Sequence, residues 1–574
     1  MSSSAVDQVQ AEVRHDVAPA ALDRDPISSG GSIERWLDAQ LDRIALLVVV
    51  VGFFVRLFDA SRSYFNPDEA MHYQILNQAS AFQAYKASLT NAHPPLIFLL
   101  IYFWHFLGRS ELMLRLPSVL AGTAFCWAAY QWIKIVFGRA TALIGIIFCA
   151  FTPALIALSA ELRGYALLLF CIGAALYFLA RAFEEESEEK SARQMWYFSS
   201  FLYLAILTHY SAVFFTVALG LYALARIADA SLPRRAVFAW AAGQAGALAI
   251  YVFLYVTHVS KIKSSITAWA MPFDPSYFRW GDGNIFVFTQ ARTLDIFLFL
   301  YGQRLVGEAM LLFFLAGVAY LFARDLTSRG GKAGSGRSGI LFLLPFAAVW
   351  GASLTGIYPY VGSRHTVFLA PFAIAAASFA IAAVSRQKLW AGLLLATILM
   401  AVANLPGAAA DASGIPVEGG MAGGSNSSAW MVASMNHIQQ SIPRGSIILV
   451  DAQSNLPLSY YLCGPKTIIP ADPYKSDYFR FDCNGYSIIS LHLWKLITGS
   501  FPPQFKRTAL ANGLKPGDRI WIFQAGWGEN LGVELPKRDS KFRCLAPSVF
   551  GENISVFPVV VGPDLSPVAA SPGC

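Results

Sequence analysis

Charge is what this sequence has least of. Asp, Glu, Lys and Arg together make up 14% of its 574 residues, against roughly a quarter in ordinary soluble proteins. With 56% hydrophobic residues and a mean hydropathy of +0.49, that deficit excludes a soluble globular chain and predicts a polytopic α-helical membrane protein. The net charge of +7 has no basic face to act through. Lys and Arg lie in short connectors between apolar stretches, which excludes nucleic acid as a partner. None of the seven cysteines shows zinc-ligand spacing. The N-terminal stretch lacks the apolar core of a secretory signal, so residues 1–40 read as a disordered cytoplasmic tail kept with the mature chain. No internal repeat is visible.

What the sequence does have is apolar length. Stretches near 44–59, 116–137, 140–158, 165–183, 196–208, 211–228, 237–257, 305–323, 340–357, 366–385 and 389–405 read as spans, about eleven crossings within residues 41–406. With the N-terminus cytoplasmic, the connectors holding Lys134, Arg139, Arg226, Arg234, Arg235, Arg324 and Lys388 all fall inside, as the positive-inside rule requires. The stretch "PPLIFLLIYFWHFLG", Pro94 to Gly108, is apolar but short, and counting it as a span would move those connectors outside. It is expected to be an interfacial or re-entrant helix. The first outer loop then runs from about Ala60 to Arg115, with a juxtamembrane helix near 69–84.

A Gly-, Ala- and Ser-rich linker, 407–428, leads into residues 429–574 on the same outer side. There "GSIILVDAQ", "LSYYLCG", "KTIIPAD", "RIWIFQAG" and "ISVFPVVVG" read as short strands and 428–441 as a helix, a small extracytoplasmic α/β domain. Its four cysteines, Cys463, Cys483, Cys544 and Cys574, allow two disulfides in any of three pairings in an oxidising compartment, or remain thiols.

Just beyond the first span, "YFNPDEAMHYQ" places Asp68 and Glu69 side by side at the membrane boundary, where carboxylates are costly unless solvated, paired or used. A helix cap explains part of this: Pro67 suits a first helical position, and acids in the first turn suit the positive end of the helix dipole. The same outer surface also receives His93 in "NAHPPL", Glu161, Arg163 and Tyr165 in "SAELRGY", His209 and Tyr210 in "LTHYS", and Arg364 and His365 in "VGSRHTVF". Each alone reads as an interfacial anchor or a snorkelling side chain. Converging from several segments on one membrane face, they read as a site. A carboxylate pair with cations at a lipid boundary suits sugar transfer from a lipid phosphate to a hydroxyl. Arginines steady the departing phosphate, and an ionised Asp takes the acceptor's proton.

"NPDEA", then "HPPLIFLLIYFWHFLGRSELMLRLPSVLAG", "LSAELRGYALL" and "LTHYSAVF", resemble in order and spacing the GT-C superfamily of membrane glycosyltransferases. The nearest match is the bacterial branch related to protein O-mannosyltransferases and aminoarabinose transferases, family 39 or RgtA/B/C/D-like, over about residues 40–400. The resemblance implies a polyprenyl-phosphate sugar donor, an extracytoplasmic site in the bacterial inner membrane, and inversion at the anomeric carbon. It implies Asp68 as base with Glu69 as its partner, and His93, Arg163 and Arg364 as contacts to the donor phosphate. Glu161, Tyr165, His209, Tyr210 and His365 are left as further substrate contacts. No metal is expected to be obligatory, although "PDEAMH" offers oxygen and imidazole donors to a divalent ion, short of a full ligand set. The acceptor, an envelope glycan, glycolipid or protein, stays open. The rival is a flippase that carries the lipid-linked sugar without cleaving it, whose expected marks are inverted repeats and broken helices at the bilayer midplane.

Overall fold

The computed structural model describes residues 32–229, 232–261, 275–281, 283–327, 338–385, 388–405, 427–464, 478–551 and 553–570. Most of the expected N-terminal tail, most of the linker and the expected strand "KTIIPAD" lie outside the described residues.

Helix α1 (Ser32–Arg62) leads to four elements of the first loop: α2 (Pro67–Leu76), α3 (Ala81–Ser88), α4 (Leu96–Trp104) and the start of α5 (Glu111–Phe137). The single helix expected near 69–84 is therefore two. α2 stops at its Asn77 cap, and Ser80 caps α3 afresh by accepting from the Gln83 N–H, so the polar residues between them act as a break. α4 has 9 residues, a rise of about 14 Å. That is under half the hydrocarbon thickness, as the short apolar stretch required.

Next come α6 (Arg139–Phe151), α7 (Pro153–Ser159), α8 (Tyr165–Glu184), α9 (Glu188–Thr208), α10 (Ala212–Asp229) and α11 (Arg234–Leu254). Between α6 and α7 the axis bends by 57°, because Pro153 has no N–H to continue the ladder. Carbonyls freed at that break are taken by a buried arginine from the middle of α1. Arg56 donates to the carbonyls of Cys149 and Ala150, both at 2.9 Å, satisfying backbone groups that lipid cannot.

The remaining helices before the C-terminal region are α12 (Ile285–Tyr301), α13 (Arg304–Thr327), α14 (Ser338–Leu354), α15 (Ala370–Val384) and α16 (Leu389–Ala403), with a 3-10 turn, Arg364–Leu369, leading into α15. Helix α12 was not expected. Arg292 and Asp295 interrupt its apolar pattern, and they neutralise each other one turn apart at 2.6 Å. Among the described residues, six helices are long and apolar enough to cross a membrane, or seven with the bent α6–α7 pair counted as one. Helices cover the other expected spans too, three of them apolar but shorter.

The C-terminal region begins with α17 (Ser428–Ser441) and contains β1 (Ile447–Val450), α18 (Ala452–Cys463), β2 (Tyr478–Cys483), β3 (Tyr486–Leu491), α19 (Phe501–Ala511), β4 (Arg519–Gln524), α20 (Leu531–Arg538), β5 (Ser548–Phe550), β6 (Ile554–Val561) and β7 (Pro567–Ala569). The sheet order is β2-β3-β1-β4-β6-β5, with β7 on β6, and β3, β1 and β4 run parallel at its centre. Alternate strand residues feed two cores, as a two-residue period demands. Ile448, Val450, Ile488 and Phe523 face α17 and α18, while Leu449, Ile489, Ile520 and Ile522 face α19 and α20. The expected strand "LSYYLCG" is instead the end of α18. Asp451 caps this helix through the Ser454 N–H at 2.7 Å, and Leu458 and Leu462, one turn apart, reach the same core. Cys463 and Cys483 form a disulfide, and Cys544 is disulfide-bonded as well.

Candidate active site

The acidic pair opens α2. Asn66 is its N-cap and Glu69 completes a capping box: the Asn66 side chain accepts from the Glu69 N–H at 3.0 Å, and Glu69 Oε2 accepts from the Asn66 N–H at 3.2 Å. Glu69 also receives a two-pronged guanidinium from Arg115 of α5, at 2.7 and 2.8 Å, and the Leu162 N–H at 2.7 Å. Its two oxygens thus accept four hydrogen bonds. Arg115, wholly buried, spends its remaining donors on the carbonyls of Ala60, Ser63 and Tyr64. Arg115 and Glu69 together tie the end of α1, the start of α2 and the loop before α8. Sequence reading passed over Arg115, though a lone Arg in the apolar run "ELMLRLPSVLAG", facing a loop with two acids, is the signal that finds it.

Asp68 is different. Its Oδ2 forms ion pairs with Arg163, from the loop between α7 and α8, and with Arg364 at 2.9 Å, from the turn before α15. Among the described residues nothing hydrogen-bonds to Oδ1. Burial on its own would raise the Asp68 pKa, but Arg163 and then Arg364 outweigh it and hold it down at about 2. Arg163 is buried and also donates to the Tyr165 hydroxyl at 3.2 Å.

A chain of rings borders this trio. His93 lies 5.1 Å from His209 and 6.1 Å from Tyr165, Tyr165 lies 5.2 Å from His209, and His209 lies 6.4 Å from His365. Burial first, and neighbouring His and Arg charges second, push the His93 and His209 pKa values well below the ordinary imidazole range, so both rings are neutral. Glu161 accepts from Asn66 Nδ2 at 3.3 Å and so supports the cap. Tyr210 turns the other way and bonds to His258, which reaches the Asn91 carbonyl at 2.8 Å. It contacts the cluster only indirectly, since Asn91 Oδ1 meets His93 Nδ1 at 2.7 Å.

His72, noted in the sequence only as an imidazole donor, stands one turn after Asp68 on α2, the spacing that puts two residues on one helix face. Its Nδ1 lies 2.8 Å from the Leu162 carbonyl, which can only accept, so Nε2 carries the lone pair; that atom is buried with no partner among the described residues. Burial and then Arg163 lower its pKa to about 3. Among the described residues no three His, Cys, Asp or Glu side chains are grouped as a metal site.

Segments of the C-terminal region pack against the site. The Phe65 N–H donates to the Tyr461 hydroxyl at 2.8 Å, α18 packs on α2 through Leu456, Tyr460 and Tyr461, and the Trp527 ring lies 5.5 Å from the Arg364 guanidinium carbon.

Residues 92–256 match the family model of dolichyl-phosphate-mannose-protein mannosyltransferases. No curated protein sequence matches the chain. Among solved structures it is similar to ArnT from Cupriavidus metallidurans in the apo state, at 14% identity and a TM-score of 0.50, over 89% of this chain and 97% of that one. The same protein bound to undecaprenyl phosphate gives 13% identity and a TM-score of 0.48 over the same shares. AglB from Archaeoglobus fulgidus, in complex with an inhibitory peptide and a dolichol-phosphate, gives 13% and 0.45, over 83% of this chain and 69% of that one.

Proposed function

We propose that this chain, of GT-C fold and related to the O-mannosyltransferases and aminoarabinose transferases, is an inverting glycosyltransferase that moves a sugar from a polyprenyl-phosphate donor to a hydroxyl. The reaction runs at the extracytoplasmic face of the cell membrane, with the N-terminus cytoplasmic and the disulfide-bonded α/β domain outside. The acceptor is an envelope glycan, glycolipid or protein.

One observation carries the reading: a single oxygen of Asp68 lies between two arginines that come from distant parts of the chain. Two guanidiniums on one carboxylate oxygen hold more positive charge than that carboxylate needs, and their forked donors suit a phosphate. Donor binding gives Arg163 and Arg364 the phosphate in place of Asp68, with His93 and His209 as neutral hydrogen-bonding groups at its edge. Relieved of two cations, Asp68 becomes a stronger base than at its resting pKa of about 2. The acceptor oxygen then attacks the anomeric carbon and forms the new glycosidic bond. The bond from that carbon to the phosphate oxygen breaks, its electron pair leaving on phosphate held by the arginines. The hydroxyl proton goes to Asp68, whose Oδ1 is the open oxygen. Glu69 is a positioning residue, since its oxygens already accept four hydrogen bonds.

Purified full chain incubated with labelled polyprenyl-phosphate sugars and envelope extract tests this. Asp68→Asn is expected to lower transfer by about 10²- to 10⁴-fold. Transfer at the normal rate would sink the assignment.

A further inference from the structure

The carboxyl ends of parallel strands are where open α/β sheets bind their ligands. In this chain β1, β3 and β4 run parallel, and the segments that follow β1 and β4 reach the start of α2, the helix that carries Asp68. Gln453, in the first turn of α18, donates to the carbonyls of Ala525 and Trp527 at 3.3 and 3.2 Å, and a Cβ added at Gly526 would lie 2.9 Å from Pro67, the residue before Asp68.

The loop after β4, "AGWGEN", is built to hold one side chain. Gly526 and Gly528 flank Trp527 with φ of +102° and +88°, the left-handed region that other residues rarely enter. A Cβ on Gly526 would also fall 2.1 Å from the Gln453 amide nitrogen, so only glycine fits. Lys495, from the segment after β3, donates to the Trp527 carbonyl. Gln524, the last residue of β4, donates to the Leu496 carbonyl at 2.9 Å and accepts from the Leu531 N–H at 2.6 Å. Three segments thus fix the backbone on both sides of an indole that is itself half-buried. The ring reaches Arg364, the same arginine that pairs with Asp68. An arginine on an aromatic ring is attracted to it, and the half-buried indole keeps part of its surface open.

We infer that Trp527 is the platform on which the acceptor's sugar ring stacks, making the C-terminal α/β domain part of the acceptor subsite and the acceptor a carbohydrate. The inference rests on the transferase reading above. A pyranose turns C–H groups to one face and hydroxyls to its rim, so a broad aromatic surface with one polar edge takes the face and leaves a rim hydroxyl to reach Asp68. Arg364, at the ring, also pairs with Asp68, so a sugar stacked there lies next to the group that holds the donor phosphate in the transferase reading.

The test is saturation-transfer NMR on the full chain in detergent, without donor, with a panel of methyl glycopyranosides and a Ser/Thr-containing peptide as probes. The expected result is saturation reaching ring C–H protons of at least one glycoside in the native protein, falling about fivefold or more in Trp527→Ala and largely kept in Trp527→Phe, which preserves an aromatic face. Equal signals in Trp527→Ala and native protein would overturn the inference, as would binding of the peptide with no glycoside bound. Because no donor is cleaved in this experiment, its outcome is separate from that of the Asp68→Asn transfer assay.

Discussion

Tyr64 and Phe65 are neighbours in the chain and are buried in two different cores. Tyr64 enters the C-terminal domain among Met431, Ile438, Leu458 and Phe523, while Phe65 packs with Ala70, Tyr73 and Ile97 of the first loop. The step from one side chain to the next therefore joins the sheet domain to the loop that carries the acid. Tyr64→Ala is expected to cost about 3–5 kcal/mol and to raise hydrogen exchange in α17 and β1, with Tyr64→Phe retaining most of the protection. Unchanged exchange in the alanine variant would mean that the two parts are held by other contacts.

Glu69 and Arg115 form a buried pair, so losing one partner strands the other. Glu69→Gln and Arg115→Met are each expected to destabilise by about 3–5 kcal/mol, read as a fall in thermal midpoint. The double variant should recover a large part of that loss, because neither charge is left alone. Simple addition of the two losses would show that the pair is not coupled.

In the proposed step Asp68 and the donor phosphate share the same two arginines. Asp68→Ala should therefore bind polyprenyl phosphate more tightly, by about tenfold or some 1.4 kcal/mol, while losing transfer. Calorimetric titration of both proteins with the lipid decides it, and weaker binding in the variant would contradict the exchange of partners.

The pH profile follows from the same geometry. The Asp68 pKa is held down at about 2, chiefly by Arg163 and then Arg364. A carboxyl lowered on folding contributes stability above its unfolded value of about 3.9 and loses it as pH falls through the lowered one. In the free enzyme, kcat/KM should show no acid limb from Asp68 across the working range. Arg364→Ala removes one of the two cations, so its limb should move to higher pH. An unmoved limb would detach Arg364 from Asp68 in solution.

Arginines supply the positive charge in the proposed step, so treatment with a chelator is expected to leave transfer within about twofold of the untreated rate. Loss of activity restored by one divalent ion would place a cation among the acidic and imidazole side chains instead.

Much of this was legible in the sequence, for physical reasons. Long apolar runs broken by basic connectors can do little but span, and a 9-residue apolar helix cannot. Asp68, Arg163 and Arg364 were legible because charge at a membrane boundary must be used or paired, and here the three meet. Roles within the pair were less legible: adjacent positions on a helix point in different directions, and only the fold shows Glu69 turned to Arg115 and Asp68 to Arg163. Tyr210, expected as a further substrate contact, follows His209 directly in the chain but bonds to His258, a pairing that the sequence did not show. "LSYYLCG" has the composition of a strand, but the Asp451 cap and the α17 packing decide for a helix. Trp527 gave no signal by composition, since one tryptophan among 14 acquires meaning only when its loop is seen against Pro67.

The short helix α4 has a consequence of its own. Its inner side carries Ile97, Phe98 and Ile101 into the core beneath α2, while Phe103, Phe106 and Leu107 stand 61%, 66% and 67% exposed at its far end. Greasy side chains left bare on a segment too brief to cross favour the lipid headgroups and act as a float. On the proposed mechanism, the loop that carries Asp68 is fastened to that float, which sets the altitude of the base against the bilayer and ranks incoming alcohols first by whether they can reach that waterline.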